Sequence, residues 1–261
     1  MENESEVLAS KWLIGNWKLH GSLAFDKEIV ADLRTLLPRI DPRVGIALSP
    51  VYPYLLHLGK LVKGSGIKIS GQDISDQSTG AYTGQVSGQI LRDVGASFVI
   101  IGHSERRYYQ GENDALIARK ARAARDAGLI PVLCVGETAE EREAGETEQV
   151  LQHQLGAVLE VLDIAQETLF VAYEPRWAIG TGVSASLEII AMAHKFLRSV
   201  LVNTNAEAGR KVRILYGGSM NPANAKSIAA IKDVDGGLIG SAALKPEEFV
   251  SIYEAVRASA H

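Results

Sequence analysis

Thr168-Leu169-Phe170-Val171-Ala172-Tyr173-Glu174-Pro175 is a largely apolar run without polar alternation, and it stops on a carboxylate. A run of this length and character fits a strand of a parallel sheet, which is covered on both faces. Seven other runs share the form, at residues 12–18, 44–49, 67–73, 97–104, 130–137, 212–218 and 236–242. Between them lie stretches with helical spacing, at residues 26–37, 114–127, 147–162, 186–202, 222–231 and 246–256, with shorter ones at 52–62 and 86–94. In the first, Ile29, Val30, Leu33, Leu36 and Leu37 share one side. Gly128 suits a helix C-cap, and Pro222 and Pro246 suit first helical positions.

Eight strands alternating with eight helices, with no Pro/Ser-rich linker, fit either a closed barrel or a doubly wound sheet. The polar residues favour the barrel. Nearly every apolar run ends in a chemically useful group: Asn16 and Lys18, Gln72, His103, Glu137, Glu174, Gly217-Gly218-Ser219 and Gly240-Ser241. A barrel gathers the C-terminal ends of all its strands into one circle, whereas an open sheet spreads them along a line. The expectation is one α/β domain, a (β/α)8 barrel over residues 10–261, after a short N-terminal extension at residues 1–9.

The chain has 261 residues, 46% hydrophobic and 22% charged, long enough to bury a core without disulfide or metal support. A formal net charge of −4 argues against general nucleic-acid binding, which leans on Lys and Arg against phosphate. Cys134 is the single cysteine, so an intrachain disulfide is excluded; its apolar surroundings mark it as core. The acidic start lacks a secretory pattern, and no apolar run reaches the ~20 residues that span a bilayer. The expected location is the cytoplasm, with no membrane partner. Without metal-ligand spacing, a Gly-x-Gly-x-x-Gly or a P-loop, no metal and no cofactor are expected.

Glu174 precedes Pro175-Arg176-Trp177-Ala178-Ile179-Gly180-Thr181-Gly182. A strand-end Glu can cap a helix or pair with a Lys. The stiff Pro-x-Trp and the Gly-x-Gly behind it favour a general base at the foot of a mobile lid. His103, in Ile101-Gly102-His103-Ser104-Glu105-Arg106-Arg107, ends another apolar run where a turn or helix starts. It suits either a loop hydrogen bond or an imidazole kept neutral by a helix N-terminus and able to donate to a substrate oxygen. Arg106-Arg107 reads as structural, paired with a carboxylate such as Glu112. Asn16 and Lys18 fall on one side of a strand and can both face inward. A fixed cation there attracts an anion and stabilises charge developing on oxygen; a solvent-exposed Lys is the alternative. The glycines at the last two run ends allow close approach of backbone N–H groups to a phosphate.

Taken together, Gly15-Asn16-Trp17-Lys18, Gly102-His103-Ser104-Glu105-Arg106-Arg107, Tyr173-Glu174-Pro175-x-Trp177-Ala178-Ile179-Gly180-Thr181-Gly182 and Tyr216-Gly217-Gly218-Ser219 resemble the triosephosphate isomerase family, in the family's order. The resemblance runs from about Lys11 to about Val256. It implies interconversion of dihydroxyacetone phosphate and D-glyceraldehyde 3-phosphate, without a cofactor. It assigns Glu174 as base, His103 as neutral electrophile, Lys18 and Asn16 as stabilisers of the enediolate, and Glu105 as their support. The N–H groups of Gly180, Ser219, Gly240 and Ser241 would hold the phosphate. It also implies a homodimer through the loop from Ser78 to Gly84, with Thr83 near its tip. The chain departs from the family at Gln85, where Glu is common, at Asp73, where Asn is usual, at Arg176, which replaces a small apolar residue, and at Ser241, where a second Gly is common.

Two other readings compete. A different phosphate-binding isomerase or aldolase is one; an aldolase needs a Schiff-base Lys, for which Lys18 is the candidate, and leaves Glu174 and His103 without a role. A non-catalytic barrel scaffold is the other, and its expected mark is a lost acid or base. Neither is lost here.

Overall fold

Strand and helix alternate through the chain until the eighth strand pairs with the first. The structure is a computed structural model that describes residues 9–178 and 185–260. Its strands are β1 (Lys11–Asn16), β2 (Val44–Ser49), β3 (Lys68–Gly71), β4 (Phe98–Ile101), β5 (Ile130–Val135), β6 (Phe170–Tyr173), β7 (Arg213–Tyr216) and β8 (Gly236–Ile239). All pair in parallel in chain order, and the ring closes with Trp12 opposite Gly236 and Gly15 opposite Ile239. This is the closed (β/α)8 barrel rather than the open sheet.

The helices are α1 (Leu23–Leu36), α2 (Tyr52–Leu61), α3 (Gly88–Asp93), α4 (Ser104–Tyr109), α5 (Asp114–Asp126), α6 (Ala139–Glu143), α7 (Thr147–Leu159), α8 (Leu187–Thr204), α9 (Ala208–Lys211), α10 (Ala225–Ala229) and α11 (Pro246–Ala258). Their starts follow local chemistry. The side chains of Ser22, Ser87, Asn113 and Ser186 each accept an N–H from the first turn. Thr138 and Glu141 form a reciprocal capping box at α6.

Several expected bounds shift. Most expected strand runs are trimmed, because the polar residues at their ends leave the ladder, whereas β2 keeps its expected bounds. The expected helix at 222–231 shrinks to α10, since the Asn221 and Asn224 side chains fold residues 221–224 into a turn. Helices α6 and α9 were not expected; each is short, and α6 is mostly charged.

Side-chain alternation divides the core in two. Trp12, Ile14, Phe98, Ile100, Val132, Cys134, Phe170, Ala172, Leu215 and Leu238 fill the barrel interior. Leu13, Trp17, Val99, Ile101, Leu133, Val135, Val171, Tyr173 and Ile214 face the helices. Trp12, Phe98 and Phe170 plug the inside, with ring centroids 4.8, 5.6 and 5.4 Å apart. The polar run ends therefore gather at the opposite mouth. Ion pairs tie the outer shell together. Arg106 pairs with Glu112 at 2.7 Å and with Asp73 at 2.9 Å, while Arg107 pairs with Asp114 at 2.6 Å, in keeping with the structural reading of both arginines. Near β7 and β8, Arg198 binds Asp233 at 3.2 Å and Asp235 at 2.8 Å. Beside it His194 is fully buried, its Nδ1 lying 3.1 Å from the Asp233 carbonyl oxygen.

Candidate active site

The alternation that puts Trp12 and Ile14 inside the barrel puts Asn16 there too, at the mouth, 6% exposed. The chain then turns through Lys18, whose φ of 51° is unusual for a residue with a side chain. Two side chains hold this turn. Asn16 Oδ1 accepts the Lys18 N–H at 3.0 Å, and Gln72 Nε2 donates to the Lys18 carbonyl at 2.8 Å. The Lys18 ammonium then reaches Glu105 Oε1 at 2.7 Å.

His103 needs a different device. In strict alternation it would follow Val99 and Ile101 towards the helices. Gly102 prevents this: its φ of 66° breaks the strand and aims His103 back to the mouth. His103 Nδ1 accepts the Glu105 N–H at 3.2 Å, so the ring proton belongs on Nε2. Nε2 lies 3.1 Å from Glu174 Oε1. The second carboxylate oxygen, Oε2, accepts the Ser104 N–H at 2.9 Å. Glu174 is 2% exposed and continues the inward phase of Phe170 and Ala172.

Asn16, Lys18, His103 and Glu174 open onto one cavity of about 340 Å³. Ser219, Gly240 and Ser241 line its other side, with Met220, Leu238 and Leu244 as an apolar wall. Gly217 leaves room for the carboxylate, since a Cβ there would stand 2.7 Å from Glu174 Cγ. Beneath lies Cys134, fully buried; burial pushes its thiol well above the ordinary range, and the Glu174 charge adds to this. Glu105 is set behind Lys18. Among the described residues no group of three or more His, Cys, Asp or Glu is placed to hold a metal ion.

The family model of triosephosphate isomerase matches residues 11–256. The chain belongs to the triosephosphate isomerase family. It is similar to the triosephosphate isomerase of Herminiimonas arsenicoxydans, at 46% identity over 94% of this chain and 98% of the relative. That of Alkalilimnicola ehrlichii is 46% identical over 93% and 97%, and that of Delftia acidovorans 43% identical over 96% and 100%. The protein is accordingly an enzyme, an isomerase built on a (β/α)8 barrel.

Set against the expectations for a triosephosphate isomerase, the structure brings eight of the nine expected residues to one end of the barrel: Asn16, Lys18, His103, Glu105, Glu174, Ser219, Gly240 and Ser241. The ninth, Gly180, lies outside the described residues, together with Ile179, Thr181 and Gly182 of the expected lid. One strand end was misread. Glu137 does not face the cavity; it keeps the outward phase of Leu133 and Val135 and is buried on the helix side of the barrel. Two contributors were missed. Ser104 acts through its backbone N–H, which carries no residue signature. The wall of Met220, Leu238 and Leu244 is chemically indistinguishable from core.

Proposed function

We propose that the protein interconverts dihydroxyacetone phosphate and D-glyceraldehyde 3-phosphate through an enediolate. The observation that carries this reading is the convergence of a carboxylate, an Nε2–H imidazole and an ammonium on one small cavity with a glycine- and serine-lined end. In this reading Glu174 takes the proton from the carbon next to the carbonyl and returns it to the neighbouring carbon. His103 Nε2–H donates to the carbonyl oxygen and moves protons between the two oxygens. Lys18, held by Glu105, and Asn16 stabilise the negative charge that develops there. Both Glu174 oxygens are engaged by donors, Oε1 by His103 and Oε2 by the Ser104 N–H. The backbone N–H groups of Ser219, Gly240 and Ser241, with Gly180, hold the phosphate.

The aldolase alternative is disfavoured by the Lys18–Glu105 contact at 2.7 Å, which commits the Lys18 nitrogen to a carboxylate instead of leaving it free to attack a carbonyl. A coupled assay of glyceraldehyde 3-phosphate turnover tests the main reading, and absence of turnover would overturn it.

The protein is further proposed to act as a homodimer in the cytoplasm. Exposed large hydrophobics support the dimer: Leu19 after β1, Tyr82 after β3, and the contacting pair Tyr108 and Tyr109 on α4 after β4. Gln85 accepts from Ser75, and Asp73 pairs with Lys120 and Arg106, so both departures are accommodated inside one subunit. A mass of about one chain by light scattering would overturn the dimer. The single, buried cysteine suits a reducing compartment. Recovery of the protein outside the cytosolic fraction would overturn the location.

A further inference from the structure

Glu137 sits in the wall behind β6, its carboxylate wholly buried, and grips the chain on both sides of Glu174. Its Oε1 accepts Trp177 Nε1–H at 2.9 Å, and its two oxygens share the Tyr173 hydroxyl at 3.1 and 3.2 Å. Its carbonyl accepts the Arg176 N–H at 3.0 Å. Tyr173 directly precedes the candidate base, and Trp177 lies on the 3-10 turn Arg176–Ala178 that leaves it. A buried carboxylate is costly unless a cation compensates it. Among the described residues the cation paired with Glu137 is Arg142, with Nη1 at 3.7 Å.

Arg142 also covers the turn. Its guanidinium carbon lies 4.8 Å from the Trp177 ring centroid, so one side chain meets both partners of the Glu137–Trp177 bond. It comes from α6, which starts two residues after Glu137 and is locked by the Thr138/Glu141 capping box. A charge link runs the other way. Glu140 of α6 is held below the usual carboxylate range by its own backbone N–H first, then by Thr138, with a contribution from the charge of Arg176. Arg142 lines a shallow hollow with Ala139, Glu143, Thr147 and Trp177, and it does not border the substrate cavity.

We propose that Arg142 is a positioning residue for the catalytic base. It presses Trp177 onto Glu137 and neutralises that carboxylate, leaving the turn after Glu174 a single resting arrangement. The proposal rests on the reading of Glu174 as the base. Small displacements of a reacting group weigh heavily on rate, so loss of Arg142 acts on turnover rather than on binding.

The test compares Arg142→Gln, Arg142→Met and Arg142→Lys in the full chain. The readouts are kcat and KM for triose phosphate, thermal melting, and the Trp177 emission obtained by subtracting a Trp177→Phe variant. The expected result for Gln and Met is a kcat lowered about 5- to 20-fold, KM within about 2-fold, and a shifted Trp177 emission. The Lys variant, which keeps the charge, recovers part of kcat. Gln and Met variants with unchanged kcat and unmoved emission would overturn the proposal. So would a kcat loss that merely tracks the fraction of unfolded protein. Absence of turnover in the parent chain would overturn the functional reading instead, while the emission readout would still decide the Arg142 contact.

Discussion

His103 Nε2 and Glu174 Oε1 stand 3.1 Å apart at the barrel mouth, although 71 residues and two strands separate them in the chain. Each reaches that point by its own local device: an unbroken strand phase for Glu174, and the left-handed Gly102 for His103. The contact joins the carboxylate and the imidazole on the wall of the cavity that Lys18 also lines.

Removing the base is the most direct test. Glu174→Ala is expected to lower kcat by roughly 10²–10⁴-fold. Steady-state kinetics with melting as a folding control decide it; turnover near the parent's would remove Glu174 from the mechanism.

The space around the base is equally testable. A Cβ at residue 217 would stand 2.7 Å from Glu174 Cγ. Gly217→Ala is therefore expected to push the carboxylate aside and lower kcat by about 10-fold or more, with the barrel intact by circular dichroism. Parent-like kcat would show that this space is not needed.

Lys18 is expected to matter to both binding and turnover. Lys18→Met removes the fixed charge, so KM should rise and kcat fall, each by about 10-fold or more. Unchanged kinetics would place the ammonium outside the site.

Acid sensitivity should have an identifiable source at the other end of the molecule. Burial lowers the His194 pKa from its ordinary value to about 4, against the weaker opposing effect of the Asp233 carbonyl. The unfolded chain then binds a proton below about pH 6.5 that the folded one refuses. The His194 contribution is complete above that pH and declines as pH falls towards 4, by up to about 3 kcal/mol. Urea midpoints at pH 7 and pH 5 should converge for His194→Gln relative to the parent. Equal pH slopes in the two proteins would contradict this.

Much of this was legible in the chain itself. The eight apolar runs, the helix-end signals at Gly128 and Pro246, and the inward side of Asn16 are local features, set by side-chain periodicity and by the chemistry of single turns. So are the identities of Glu174, His103 and Lys18, because each stands where an apolar run ends. Closure of β8 onto β1 was legible only indirectly, from the polar groups at the run ends and the family resemblance; periodicity alone left an open sheet possible, since closure depends on the tilt and stagger accumulated over all eight strands. Tertiary structure alone decided that Ser104 offers its backbone N–H to Glu174, that Glu137 meets Tyr173 and Trp177, and that Arg142 crosses 35 residues of chain to lie over Trp177. The difference is physical. Periodicity says which way a side chain leaves its own element, whereas a contact between elements exists only once the ring has closed and set their distance.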